Sequence, residues 1–126
     1  MLDLIHIHIH QDGPSKSMMR ILSRIIPVTA LIALPAAAVT EEQLDTIKNL
    51  GSLNGVALQC RFLDETNRMK EVLIKTLPKR RELGLAFDAQ TNDSFLRFIS
   101  EGQSCPDRLE FSHNVDAAIK ALKEAF

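Results

Sequence analysis

Cys60 and Cys105 are the only cysteines of the chain. An even pair in a small exported domain reads as a disulfide. Closing a loop between them restricts the unfolded chain by roughly 4 kcal/mol in the entropy model. A redox role is weak because no C-x-x-C spacing is present. The two sulfurs with His113 and Met69 would make a soft, copper-type ligand set. Nothing in the spacing forces those four together, so a plain disulfide is expected, with no metal and no cofactor.

His113 is the sole histidine beyond the first ten residues. Beside an amphipathic stripe it reads as a surface or interface residue able to sense pH. His6, His8 and His10 alternate with isoleucine, a pattern that would share one face of a strand and suits a metal tract. They precede an apparent leader, so they are read as part of an upstream extension over 1–17 rather than as a site. Lys79-Arg80-Arg81 is the only basic run. It offers a contact for an anionic partner. The competing reading is a solvated helix end, where cations favour the C-terminus of the preceding helix. G-x-S-x-G, H-E-x-x-H and Gly-rich phosphate loops are absent from the sequence. No catalytic residue is assigned.

Composition narrows the classes further. The 126 residues carry 15 Lys+Arg against 16 Asp+Glu, a net charge of -1 that disfavours a nucleic-acid binder. Trp and Tyr are missing, which removes the usual stacking platforms for bases and sugars. Residues 18–38 run from Arg20 and Arg24 through an apolar stretch to Ala36 and Ala38, the order of a cleavable signal peptide. The apolar stretch is too short to span a bilayer. Export to a bacterial periplasm or beyond follows as an expectation, with no stable membrane anchor after cleavage and a helical domain over 39–126.

The elements that position these groups read as helical throughout. Thr40 with Gln43 forms a capping box ahead of Leu44, Ile47 and Leu50. Gly51 and Gly55 lie one turn apart, either a groove or a place of close helix packing, with Asn54 beside them as a satisfied buried amide. The pattern runs on through Cys60, Phe62, Thr66, Met69, Leu73 and Leu77, as one long helix or two with a bend near Gly55. Pro78 ends it. A third pattern starts at Glu82 and uses Leu83, Phe87, Phe95 and Phe98, with Gly84 letting a neighbour approach. The polar stretch 88–93 is expected to interrupt it, and Gly102 to stop it. Ser104 or Cys105 is the expected cap of the last helix, with Pro106 in its first turn. The face of that helix is Leu109, Ser112, Val115, Ile119, Leu122 and Phe126. The fold expected is all-α, a small bundle of about four helices stapled by Cys60–Cys105.

The order leader, Cys60-bearing helix, middle helices, Cys105 and amphipathic last helix resembles the layout of HdeA-type periplasmic acid-stress chaperones. That resemblance implies a helical fold, one disulfide and chaperone function. The stretches L-N-G-V-A-L-Q-C (53–60) and T-L-P-K-R-R-E-L-G (76–84) look like fixed motifs of a small exported proteobacterial helical family, which implies no particular activity. The function expected is a non-enzymatic binding or chaperone-like protein acting through apolar helix faces. Its partner would be another protein or a second copy. Met69, Phe87, Phe95 and Phe98 are the candidate contacts if exposed, joined by Lys79, Arg80 and Arg81. The alternatives are a small envelope enzyme or inhibitor, or a secretion-system accessory subunit.

Overall fold

The computed structural model describes residues 37–126. The upstream extension, its histidines and most of the 18–38 leader lie outside them. Four helices follow in order: α1 (Glu41–Gln59), α2 (Leu63–Thr76), α3 (Arg81–Ser100) and α4 (Arg108–Ala125). None is long and apolar enough to cross a membrane.

Helix α1 starts where the capping box places it. Thr40 Oγ1 accepts from Gln43 N, and Gln43 Oε1 accepts from Thr40 N. The Gln43 amide also donates to Ala125 O at 2.8 Å, tying the head of α1 to the tail of α4. The helix runs unbroken through Gly51 and Gly55, so the bend lies at its end instead. There Phe62 N donates to Ala57 O and Arg61 N to Leu58 O, a Schellman closure. Arg61 takes the left-handed position at φ 58° that glycine usually fills. Helix α3 ends in the same way: Gln103 N reaches Phe98 O, and Gly102 occupies the left-handed position at φ 61°.

Helix α2 stops before Leu77, whose extended backbone is the conformation a following proline favours. The expected break at 88–93 does not occur, and α3 is continuous. Two polar side chains there, Gln90 and Thr91, find partners on α1, while Asp88, Asn92 and Asp93 are exposed. Asn54 Nδ2 donates to Thr91 Oγ1, and Gln90 Nε2 to Ser52 Oγ. The cap of α4 is Asp107, later in the chain than the expected Ser104 or Cys105. Its carboxylate accepts from Leu109 N and Glu110 N, a stronger anionic cap than a disulfide-bonded cysteine offers.

Helix α1 is the centre and packs on each of the other three. The core contains Ile47, Leu50, Met69, Leu73, Phe111, Val115 and Leu122, joined by Leu83 and Phe87 of α3. Phe111 rather than Leu109 leads the buried face of α4, with Val115, Ala118 and Leu122 following at helical spacing. Leu109 and Phe126 are exposed. The Phe62 and Phe111 rings sit 5.2 Å apart, and the Arg108 guanidinium lies over Phe62. Arg68 bridges α2 to α4 through Asp116 and Ser112 O while pairing with Glu65 in its own helix. Burial pulls its pKa down, but the hydrogen bonds to Asp116 and Glu65 outweigh that and leave it above the ordinary value.

Beyond these core contacts, α3 approaches α1 at its glycines. A Cβ on Gly55 would fall 2.7 Å from Phe95 N, and one on Gly51 2.8 Å from Phe87 O. The pair is therefore a close-packing device. Ser94 Oγ donates to Ser52 O at 2.7 Å across this seam. Asn54 is less satisfied than expected: its Oδ1, like Thr66 Oγ1, is buried without a hydrogen-bond partner among the described residues.

The disulfide joins Cys60, at the end of α1, to Cys105, just ahead of α4, with the Cα atoms 5.6 Å apart. The staple closes the gap between two helices already in contact.

Candidate binding groove between the second and third helices

Helices α2 and α3 both lean on α1, but their own backbones do not meet. The space left between the end of α2 and the start of α3 is an open groove. Its first depression, of about 380 Å³, is walled by Leu73, Ile74, Leu77 and Leu83 and edged by Lys79, Arg80 and Arg81. A second, of about 210 Å³, adjoins it and reaches Lys70, Phe87 and Asp88. Leu73, Ile74, Leu77 and Gly84 border both. Ile74 is 80 % exposed. A Cβ added to Gly84 would meet nothing within 4 Å, so the third helix contributes bare backbone to the groove.

The charges are arranged asymmetrically. Arg80 pairs with Glu82 at 2.6 Å and also donates to Ala37 O. Lys79 and Arg81 form no ion pair among the described residues. The Glu82 carboxyl is held below the ordinary carboxylate range, first by its own backbone N–H and then by Arg80. A larger depression of about 630 Å³ also borders Arg80, but Glu41 and Glu82 share its lining and leave it net negative.

This placement changes the reading of the basic run. Arg80 is the N-cap of α3 and Arg81 its first residue, with no side-chain cap. The cations thus stand at the positive end of a helix dipole, where cations are unfavourable. They are not the solvated C-terminal end of α2. That position belongs to Lys75, which pairs with Glu71 at 2.5 Å and draws the Glu71 carboxyl below its ordinary pKa.

Other expected contacts are dispersed. Met69 and Phe87 are buried core residues and present no free face to a partner. They are buried because they lie on the inward stripes of α2 and α3, and Phe87 only underlies the second depression. Phe95 and Phe98 are half-buried on α3. Leu85, Leu96 and Ile99 lie outward on the same helix, each more than half exposed. His113 is exposed on α4 and forms no hydrogen bond or ion pair among the described residues. The disulfide occupies both thiols, so the Cys60, Cys105, His113 and Met69 ligand set does not form. No group of three or more His, Cys, Asp or Glu suited to a metal is found among the described residues.

The basic edge Lys79, Arg80 and Arg81, and Phe87 beneath the second depression, were among the expected contacts, whereas the apolar wall of Leu73, Ile74, Leu77 and Leu83 was not, yet one signal for it was available. Ile74 interrupts the charged face Lys70, Glu71, Lys75 of α2, where an apolar residue has no inward neighbour. No family model, curated protein or solved structure matches this chain.

Proposed function

We propose that the chain is a non-enzymatic binding protein, chaperone-like in using apolar helix faces, that works in the bacterial periplasm or outside the cell. The observation that carries this reading is Ile74, largely exposed at the edge of an open apolar groove. Isolated exposed apolar residues are ordinary on protein surfaces, whereas one set beside an apolar depression offers burial to a partner. The outward residues of α3 add a second unpartnered apolar face. The Cys60–Cys105 disulfide is compatible with an oxidising compartment.

The test is light scattering from an unfolding client protein, at neutral and acidic pH, with photo-reactive residues placed at positions 74 and 96 of the full chain. Suppressed scattering and client adducts are the expected result. Adducts without suppression keep the binding reading and remove the chaperone-like part. Unchanged scattering with no adduct at either pH overturns both.

A further inference from the structure

Resting on that reading, we infer that the α2–α3 groove docks an acidic amphipathic helix of a partner protein. Two of its apolar side chains enter the adjoining depressions, and its carboxylates meet Lys79 and Arg81. Three features of the groove select this occupant. The first is its division. Two apolar depressions share Leu73, Ile74, Leu77 and Gly84 as a common border, which suits two side chains about one helical turn apart. A lipid tail would favour one enclosed channel, and this groove is open along its length.

The second feature is charge. Lys79, Arg80 and Arg81 edge the first depression, whereas the second carries Lys70 opposed by Asp88. Among the described residues only Arg80 of the three has its charge met, by Glu82. The groove is therefore positive at one end and balanced at the other. Cations at the start of α3 work against that helix's own dipole, and an acidic partner reverses the penalty. Acidic residues on one side of the partner would also set its direction in the groove and discriminate against basic helices.

The third is Gly84. Helix packing needs close approach, and small residues allow it. Gly51 and Gly55 already serve that purpose against α3. Gly84 has the same lack of side chain with nothing against it, so a second helix can come close there without any rearrangement.

A dodecapeptide display library panned against the full chain tests the inference. The expected peptides carry two large apolar residues three or four positions apart, with Asp or Glu on one side. Their binding should weaken as salt is raised. It should fall about tenfold in a Lys79→Glu, Arg81→Glu double variant, as expected for two exposed pairs reversed. Gly84→Phe should abolish it. Gly84→Ala, whose Cβ has open space, controls for folding and should melt no lower than the parent.

Selected peptides that lack acidic residues, or that bind the double variant equally, overturn the inference. So does an empty selection, or one in which palmitate alone binds and Gly84→Phe blocks it. Client adducts at position 96 that are indifferent to Gly84→Phe keep the proposed binding function and remove only the groove.

Discussion

The two sides of α1 are held by different physics. Toward α2 and α4 the contact is apolar volume: Ile47, Leu50, Met69, Phe111, Val115 and Leu122 interlock with little or no exposure. Toward α3, whose Leu83 and Phe87 join the same core, the distinguishing feature is proximity. Two glycines admit the α3 backbone, and Ser52, Asn54, Gln90, Thr91 and Ser94 exchange hydrogen bonds across the seam. A volume-filled interface tolerates exchange of one apolar residue for another of similar size. A glycine seam tolerates no added atom, because its neighbour is backbone that no rotamer change can move. The contrast also explains the groove. Close approach to α1 alone leaves α3 with no backbone contact to α2, and the gap between them stays open.

The largest expected effect tests the volume side. Phe111→Ala should cost about 3–5 kcal/mol, read as a fall in the denaturant midpoint. A cost near zero would mean that α4 is not packed by volume. The seam comes next. Gly55→Ala should destabilise by about 1–3 kcal/mol despite alanine's better helix propensity, whereas Gly84→Ala should stabilise by up to about 1 kcal/mol. Equal, favourable shifts at both positions would dissolve the distinction between the two sides.

A smaller effect sharpens the apolar side. Thr66→Val removes a buried hydroxyl that lacks a partner and should raise stability by about 1 kcal/mol in thermal melts. An unchanged or lower melting temperature would show that the hydroxyl is satisfied in solution.

Acid should have the least effect. Glu71 and Glu82 have folded pKa values below the ordinary 4.5. Their stabilising contribution is present above that value and is lost as pH falls through the lower folded one. Both side chains are exposed, so screening keeps the loss small. Neither of the two interfaces of α1 is built on them. Melts of Glu71→Gln and Glu82→Gln should match the parent at low pH and lie slightly below it at neutral pH.

Much of this was legible in the residues. Thr40 and Gln43 announced the start of α1, Pro78 the end of α2 and Gly102 the end of α3, because caps and breakers act within a turn of themselves. The pairing of Cys60 with Cys105 followed from their number and context. Phe111 was hidden because Leu109 and Ser112 fit a neighbouring stripe nearly as well, and a helix can rotate by tens of degrees before its pattern objects. The polar stretch 88–93 looked like a break because a polar helix face and a loop have similar composition. Arg61 gave no warning that it would occupy a glycine position. The candidate groove was the least legible part, since Ile74 and Gly84 become neighbours only when two helices converge on a third.

Local chemistry, then, determined by itself that the chain is helical, where three of its helix ends fall, and that its two thiols belong together. Those properties depend on backbone hydrogen bonds, caps and covalent pairing, which are short-ranged. Only tertiary structure decided which side of α1 takes volume and which takes proximity. It also decided that Lys79, Arg80 and Arg81 belong to the head of α3 and not to the tail of α2. Those outcomes depend on how closely helices approach, and that distance is set by side chains far apart in the chain.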